Sequence, residues 1–281
     1  MSLRVLRTGC GIEVQDAGRT GWKQFGVPPG GPMDRHAAAW ANRLAGNPVG
    51  TPLLEICLSG AAFLVEKRCW LGVAGAGRIE REPGWFGGWF DEGEEVRIAD
   101  SGAGIWTYLA MAGGVRAPRF LGSASTNARA GIGWVLEKDQ SLEADSPRVP
   151  PPAVAARRPG SGVIRDYRNI PVLRAWRGPQ FDDFSPSAIH ALNHHPWQTS
   201  PRSDRCGFRL AGCRLDPAAP LHHSEPVLVG SIQIPPSGEP VVLMRDGPTI
   251  GGYPKIALLD DGATDWLAQC RPGVAFSIQC P

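Results

Sequence analysis

Charged and amide side chains alternate with glycine and proline between residues 200 and 258 of this 281-residue chain. They lie in three strings, S-P-R-S-D-R-C-G-F-R-L (200–210), S-E-P-V-L-V-G-S-I-Q-I-P-P (224–236) and T-I-G-G-Y-P-K-I-A (249–257). A hydrophobic core does not need so many charged groups on short strands and turns. The pattern therefore predicts a polar site, and its charged and amide members are Asp204, Arg205, Arg209, Glu225, Gln233 and Lys255.

Two arginines flank a glycine in the first string. Arg205 and Arg209 carry forked, permanently charged donors that suit a carboxylate or a phosphate. Asp204 can hold one of them in place. Gly207 indicates a backbone conformation or a close approach that a side chain would block. The alternative interpretation is an internal Asp–Arg ion pair that only fastens a turn.

The second string offers a carboxylate and a buried amide. Glu225 follows Ser224 just before an apolar strand. A glutamate works as a general base only when burial or a like charge raises its pKa, so Glu225 is either a base or part of a strand-entry turn. Gln233 lies inside a predicted strand, where its amide needs a partner from a ligand or from neighbouring backbone.

The third string places Lys255 after a double glycine. Gly251 and Gly252 could leave backbone N–H groups free to cradle an anion, with the lysine close by. The alternative is an ordinary glycine turn into a strand. A polar turn of similar composition, Q-D-A-G-R (15–19), lies near the N-terminus, and Glu55 interrupts an apolar strand further along. A buried glutamate needs a partner, and Arg19 is one candidate.

Composition excludes several classes of protein. The 29 basic and 27 acidic residues nearly cancel, and the chain has no basic stripe of the kind that binds nucleic acid. Its apolar runs are too short to span a bilayer, and the first residues do not resemble a signal peptide. Seven cysteines without a C-x-x-C pair argue against a disulfide framework and against structural zinc. We therefore predict a cytoplasmic protein with free thiols.

Metal and nucleotide motifs are missing from the sequence. His190 and His194 would share a helix face, and His222 and His223 form a second pair, but no H-E-x-x-H or cysteine–histidine spacing accompanies them. We predict no metal site. The chain also has no G-x-x-x-x-G-K-[ST] loop, so an ATP site within it would be unconventional.

The elements that must position these residues are predicted to be short strands. The 36 glycines and 27 prolines, with 42% hydrophobic residues, indicate many turns in a globular, mainly β protein. The proline-rich residues 146–162 predict a linker, which divides the chain into domains at 1–150 and 151–281. Predicted strands cover residues 3–7, 63–66, 70–74, 95–99, 105–111, 172–176, 227–234, 240–244, 255–259 and 274–279.

Few helices are expected. Asp34 as N-cap, apolar residues at i, i+3, i+4 and i+7, and a stop at Gly46 predict one helix in the first half. Ser185 followed by Pro186 predicts a second helix, and residues 263–269 predict a third.

Strings throughout the chain resemble a known family. Besides the three strings above, they are V-Q-D-A-G-R-T-G-W (14–22), G-V-P-P-G-G-P-M-D (26–34), A-N-R-L-A-G-N-P (41–48), L-E-I-C-L-S-G (54–60), Y-L-A-M-A-G-G-V (108–115) and L-G-S-A-S-T (121–126). Together they resemble the family of C-type 5-oxoprolinase subunits, which is also called allophanate hydrolase subunit 2 or biotin-dependent carboxyltransferase. The resemblance implies β-barrel-like domains of cyclophilin-like type.

The resemblance implies three alternative functions. The first is a component of an ATP-dependent 5-oxoprolinase, in which a homologous B-type subunit and a third subunit help to open the ring of 5-oxo-L-proline. The second is the carboxyltransferase half of a biotin-dependent urea carboxylase. Carboxybiotin would then come from a separate carrier, because this chain has no A-M-K-M-type lysine. The third is a non-catalytic regulator that binds a kinase-inhibitor-like partner.

The resemblance also implies roles for individual residues. The catalytic set would be Arg205, Arg209, Glu225 and Lys255. The substrate-binding set would be Asp16, Arg19, Ser203, Asp204, Gly207, Ser224, Gln233, Thr249, Gly251, Gly252 and Tyr253. This chain departs from the family pattern at Cys206, at Pro226 and at residues 248–250, and the last change leaves the substrate open.

Overall fold

The computed structural model describes residues 1–58, 60–82, 84–147 and 156–281. The chain folds as two compact units. Unit 1 contains Met1–Arg19 and Gly30–Arg168, and unit 2 contains Thr20–Pro29 and Asn169–Pro281. Residues 148–155, the middle of the segment predicted to be a linker, lie outside the described residues. The predicted boundary at residue 150 therefore stays a prediction, although residues 156–168 group with unit 1.

The described part of unit 1 contains two antiparallel sheets and one α-helix. Its described strands are β1 (Ser2–Thr8), β2 (Ile12–Gln15), β3 (Leu53–Cys57), β4 (Ala61–Lys67), β5 (Cys69–Gly75), β6 (Arg78–Ile79), β7 (Phe86–Phe90), β8 (Glu95–Ala99), β9 (Trp106–Met111), β10 (Ser141–Glu143) and β11 (Ala156–Arg157). One sheet has the order β10-β1-β4-β8-β6, and the other has the order β11-β7-β5-β9-β3-β2.

Helix α1 (Arg35–Ala45) packs on the second sheet, as its sequence signals predict. Asp34 caps it by accepting a hydrogen bond from Ala37 N at 3.0 Å, and Gly46 ends it in the left-handed conformation. The helix lies close to the strands because β5 has a glycine at the contact. A Cβ on Gly72 would lie 2.3 Å from the carbonyl oxygen of Ala41.

Alternate residues of β5 serve two apolar cores, because side chains of a strand point to opposite faces. Cys69, Leu71 and Val73 join the core formed by residues of both sheets. Trp70 and Ala74 point the other way and pack with the apolar face of α1. The seven-residue strand is buried throughout, so it can be hydrophobic on both faces.

Unit 2 has a large sheet, a two-stranded ladder and two helices. Its strands are β12 (Leu173–Arg177), β13 (Trp197–Thr199), β14 (Gly207–Ala211), β15 (Glu225–Pro226), β16 (Ser231–Gln233), β17 (Val241–Leu243), β18 (Ile250–Gly251), β19 (Lys255–Leu259), β20 (Ala275–Phe276) and β21 (Ile278–Gln279). The sheet has the order β20-β13-β14-β17-β16-β19-β12-β21, and β15 pairs with β18. The predicted mainly β class with few helices is confirmed.

Both α-helices of unit 2 form near their predicted positions. Ser185 caps α2 (Pro186–His194), as predicted. Asp260 caps α3 (Asp261–Ala268), which begins two residues before the predicted start at residue 263. The strand predicted over residues 227–234 is wrong in its first part, since the ladder covers only Ser231–Gln233. Gly230 has a φ of 91°, and a Cβ there would lie 2.8 Å from the carbonyl oxygen of Leu259, so the chain turns before β16 begins.

Candidate functional site

A lysine–glutamate pair forms the centre of the candidate site in unit 2. Lys255 opens β19, and its Nζ lies 2.6 Å from Oε2 of Glu225 in β15. The lysine side chain is only 5% exposed, whereas that of Glu225 is 41% exposed. Hydrogen bonds from Lys255 and then from Gln180 lower the pKa of Glu225 below its ordinary value. Glu225 is therefore held as a carboxylate, not as the raised-pKa base that one sequence interpretation requires.

Gln180 joins the two members of the pair, and the sequence reasoning missed it. Its Nε2 donates to Oε2 of Glu225 at 3.1 Å, and its Oε1 accepts from the backbone N–H of Lys255 at 3.1 Å. Gly178 makes this approach possible, since a Cβ there would lie 2.1 Å from the carbonyl oxygen of Lys255. The signal in the sequence is the string G-P-Q directly after β12.

Gln233 and the double glycine lie beside this pair. Gln233 is buried and pairs with Lys255 across β16 and β19. Its Nε2 donates to the carbonyl oxygen of Tyr253 at a long 3.5 Å. Gly251 pairs with Glu225, and a Cβ on Gly251 would lie 2.4 Å from Nε2 of Gln233. This glycine thus makes room for the amide of Gln233.

The predicted anion cradle at the double glycine does not form. Neither Gly251 nor Gly252 has the positive φ that a cradle of successive N–H groups uses. Gly251 takes part in the β15–β18 ladder instead. Gly252 faces the Ser224 hydroxyl, which would lie 3.6 Å from a Cβ at this position. Thr249 is buried, and its carbonyl oxygen accepts the backbone N–H of Val227 at 3.1 Å.

Arg209 belongs to the same cross-strand row as Lys255. It pairs with Val241, which also pairs with Gln233. Gln233 in turn pairs with Lys255. Neighbouring strands lie about 4.8 Å apart, so three steps separate the backbones of Arg209 and Lys255 by about 14 Å. Arg209 is exposed, and Val241 and Gln233 lie between it and the pair.

Arg205 has a carboxylate partner of its own. Its Nε and Nη2 lie 2.7 Å and 3.3 Å from the two oxygens of Asp246, a bidentate pair with both side chains largely buried. Asp204 uses Oδ1 to accept the backbone N–H groups of Cys206 at 2.8 Å and Gly207 at 3.1 Å. Arg205 thus forms an internal ion pair with Asp246, a partner that the sequence analysis did not name.

Ser203 and Gly207 shape the start of β14. The Ser203 hydroxyl accepts the backbone N–H of Arg209 at 3.1 Å. A Cβ on Gly207 would lie 3.1 Å from Cγ1 of Val241, a tight approach to the neighbouring strand. Both residues thus hold the backbone of the segment that carries the two arginines.

Asp16 and Arg19 belong to unit 1, where the L-G-S-A-S-T string surrounds them. Asp16 accepts hydrogen bonds from the hydroxyl of Ser125 at 2.7 Å and from the backbone N–H of Ala124 at 2.7 Å, and also from the Ser123 hydroxyl. Burial alone would raise the pKa of Asp16, but these hydrogen bonds outweigh burial and lower it. Arg19 is buried and donates to the carbonyl oxygen of Ser125.

Glu55 is buried in unit 1 with other polar groups. It accepts the backbone N–H of Met33 at 2.7 Å and the hydroxyl of Tyr108 at 2.8 Å. The Tyr108 oxygen accepts the backbone N–H of Asp34 at 2.7 Å. This chain of hydrogen bonds ties β3 and β9 to the start of α1.

Histidines and cysteines form no evident metal site in the parts of the chain that the structure describes. His190 and His194 share a face of α2 as predicted, and their rings stack 4.1 Å apart. No group of three or more metal-binding side chains comes together among the described residues. Across the same residues, no helix is both long enough and apolar enough to cross a membrane.

Comparison with known proteins identifies the family. A family model described as carboxyltransferase domain, subdomain A and B, matches residues 25–279. The chain is 33% identical to the C-type subunit of 5-oxoprolinase from Escherichia coli (strain K12), covering 99% of this chain and 91% of that protein. The crystal structure of TTHA0988 is similar, with a TM-score of 0.86 and 34% identity, and this chain spans 55% of it. The structure of Kluyveromyces lactis urea amidolyase has a TM-score of 0.87 at 25% identity, and this chain spans 18% of it. The chain therefore belongs to the carboxyltransferase-domain family of subdomains A and B.

Proposed function

We propose that this chain is the C-type subunit of an ATP-dependent 5-oxoprolinase. With a homologous B-type subunit and a third hydrolase subunit, it would open the ring of 5-oxo-L-proline or a related small cyclic amide. The similarity to a 5-oxoprolinase subunit of this type over nearly the whole chain supports the choice of enzyme. The observation that carries a catalytic role for this chain is the buried Lys255 ammonium, 2.6 Å from the Glu225 carboxylate.

The pair suits an amide substrate. When a ring amide is attacked, negative charge develops on its carbonyl oxygen, and a fixed cation in a water-poor place stabilises that charge. The Lys255 ammonium has three donors, and Glu225 occupies one of them in the described structure. A second donor can reach the carbonyl oxygen of a bound amide. Glu225, held ionised, can accept the amide N–H or orient a water.

Neighbouring residues would orient the substrate. Gln180 fixes both members of the pair, and Gln233 presents an amide from the adjacent strand. Arg205 and Arg209 remain proposed donors to a charged group of a ligand, but Arg209 lies three strand steps from Lys255 and would not share the same oxygen. Because Arg205 is already bound to Asp246, its main role is expected to be holding the fold. The remaining proposed contacts to substrate in unit 2 are Ser203, Asp204, Gly207, Ser224, Thr249, Gly251, Gly252 and Tyr253. Asp16 and Arg19, which were also predicted to bind substrate, belong to unit 1, and their proposed role concerns that unit by itself.

The described residues do not fit a conventional triphosphate site. Gly251 takes part in a ladder, and neither Gly251 nor Gly252 has the positive φ of an N–H cradle, so no nucleotide is assigned to this turn. ATP would act within the assembled complex. Carboxybiotin would be delivered by a separate carrier if the chain works as a carboxyltransferase.

The second candidate function is carboxyl transfer in a biotin-dependent urea carboxylase. The structural similarity to Kluyveromyces lactis urea amidolyase over 99% of this chain favours it. The same lysine and carboxylate could stabilise charge on a urea oxygen while the nitrogen attacks.

Two measurements distinguish the 5-oxoprolinase subunit from the carboxyltransferase: association with partner subunits, and ATP hydrolysis stimulated by substrate. The chain is co-expressed with a B-type subunit and a third hydrolase subunit and purified through a tag on this chain. We expect the three proteins to co-purify and to hydrolyse ATP faster when 5-oxo-L-proline is added. Transfer of a carboxyl group from a supplied carboxybiotin carrier to urea, with no ATP hydrolysis in response to 5-oxo-L-proline, would instead support the second candidate.

A further inference from the structure

Lys23 contacts a residue next to the candidate site, although it lies far from that site in the sequence. It begins a short 3-10 helix (Lys23–Phe25) in Thr20–Pro29, the segment that groups with unit 2. Its Nζ lies 3.3 Å from the carbonyl oxygen of Val227. Val227 comes two residues after Glu225, a distance of about 7 Å along an extended chain. Lys23 thus contacts the residue that directly follows β15, whereas Lys255 contacts Glu225 within β15.

The packing around Val227 links Lys23 to this ladder. A Cβ on Gly251 would lie 3.1 Å from Cγ1 of Val227, and Gly251 pairs with Glu225. Val227 also donates its backbone N–H to the carbonyl oxygen of Thr249. The carbonyl group that holds Lys23 is therefore fixed by the same strands that hold the Glu225 carboxylate.

The positive charge of Lys23 has no carboxylate partner within the described ranges. Its contact is a neutral carbonyl group, and burial lowers its pKa, as expected for a partly desolvated ammonium. Lys255 is already neutralised by Glu225. Asp182 and Asp183 follow Gln180, but both are exposed and pair with neither lysine in the described structure. Among the described residues, Lys23 is thus a cation next to the end of β15 that no carboxylate contacts directly.

We propose that Lys23 binds the carboxylate of the ligand and is the residue that makes this site prefer a carboxylate-bearing amide over a neutral amide or urea. The inference rests on the proposed function, because it assigns a specificity-determining residue to the same site. A half-desolvated ammonium is costly until an anion pairs with it, and a charge-assisted hydrogen bond to a carboxylate offsets that cost. Lys255 would contact the amide oxygen while Lys23 holds the carboxylate.

A purely structural role for Lys23 gives a different expectation. The ammonium would then only fasten Thr20–Pro29 to the carbonyl oxygen of Val227. In that case its removal would lower the melting temperature and weaken every ligand alike. A comparison of two ligands that differ in the carboxylate separates these roles.

The test measures binding of 5-oxo-L-proline and of 2-pyrrolidinone, which lacks the carboxylate, to the full chain by calorimetric titration. Variants are Lys23→Gln, Lys23→Arg and, as a control on an exposed lysine of unit 1, Lys138→Gln. We expect the unmodified chain to bind 5-oxo-L-proline at least tenfold more tightly than 2-pyrrolidinone. Lys23→Gln should abolish this preference without weakening 2-pyrrolidinone, whereas Lys23→Arg and the control should retain it.

Salt provides a measurement that needs no variant. Raising the ionic strength should weaken binding of 5-oxo-L-proline and leave 2-pyrrolidinone unchanged, because screening acts on the charge pair. The absence of a preference in the unmodified chain, or a preference that survives Lys23→Gln, would overturn the inference. A Lys23-dependent preference in a complex that does not open the ring would instead reject the proposed function and keep the carboxylate site.

Discussion

The Glu225 carboxylate accepts hydrogen bonds from Lys255 and Gln180, so protein groups rather than water alone hold its charge. Its pKa is lowered from 4.5 in the folded state. A depressed pKa means that the pair stabilises the fold above the ordinary pKa of glutamate and that this contribution is lost as the pH falls through the lowered pKa. The pair is therefore formed at neutral pH and weakens in acid.

Replacing Glu225 by glutamine tests the charge of the pair. Glu225→Gln keeps the shape of the side chain but leaves the buried Lys255 ammonium without its counter-charge. We expect turnover by the assembled complex to fall about 100-fold or more, in the range usual for a positioned acid–base group. Glu239→Gln, which alters an exposed pair with Arg202, is the control. Turnover within twofold of the unmodified protein would exclude the pair from the chemistry.

Gln180 should tune the pKa of Glu225. Gln180→Met removes the amide donor while keeping the length of the side chain, so the pKa of Glu225 should rise toward 4.5. Carboxyl-carbon NMR titration follows the change. Glu95, whose pKa is lowered by Arg97, is an internal control that should not move. An unchanged Glu225 titration in the variant would show that Gln180 does not act on the carboxylate.

The two arginines should respond differently to lysine substitution. Arg205→Lys loses the bidentate contact with Asp246, and we expect it to destabilise the protein by about 1–3 kcal/mol. Arg209→Lys changes an exposed side chain and should cost less than about 0.5 kcal/mol. Thermal unfolding and complex turnover are measured on both variants. An Arg205→Lys protein of normal stability that has lost turnover would support the catalytic role and contradict the structural one.

At the scale of elements, the turn after β12 brings the site together. Gly178 lies against the backbone of Lys255, which lets Gln180 bond to both the backbone of β19 and the carboxylate of β15. The contacts join residues that are 45 and 75 positions apart in the sequence. A small change of backbone position in this turn would therefore misplace the whole cluster.

Gly178→Ala should disrupt this turn. The new Cβ would lie 2.1 Å from the carbonyl oxygen of Lys255, so β19 or the turn must move. We expect a loss of about 2–3 kcal/mol in unfolding free energy, typical of overpacking, together with reduced turnover. Gly160→Ala is the matched control, because nothing lies within 4 Å of a Cβ there. Equal stability of the two variants in denaturant unfolding would contradict the account of this turn.

Local signals made α1 and β19 predictable from the sequence. Asp34, the apolar spacing and Gly46 act within one helix, and the bounds of β19 follow from a compact apolar run after Pro254. Gln180 and Lys23 could not be assigned in the same way, because their roles depend on contacts with residues far along the chain. The same reason explains why the Asp246 partner of Arg205 was not predicted.

For the whole molecule, membership in the family explains the fold, whereas the proposed reaction depends on the candidate site and on partner subunits. Membership in the carboxyltransferase-domain family accounts for the fold and for nearly the whole length of the chain. Under the proposed function, the reaction would depend on the Lys255–Glu225 pair and on other subunits of the complex. A C-type subunit is therefore expected to have no ring-opening activity when it is isolated.

The need for this chain and its Lys255 in ring opening is tested by ATP-dependent formation of glutamate from 5-oxo-L-proline in the reconstituted three-subunit complex. The assay is run without this chain, with the unmodified chain, with Lys255→Met and with the control Lys138→Met. We predict glutamate formation only when this chain and its partners are all present, a loss of about 100-fold or more for Lys255→Met, and none for the control. Full activity from the isolated chain, from the partners alone, or from the Lys255→Met complex would contradict the account.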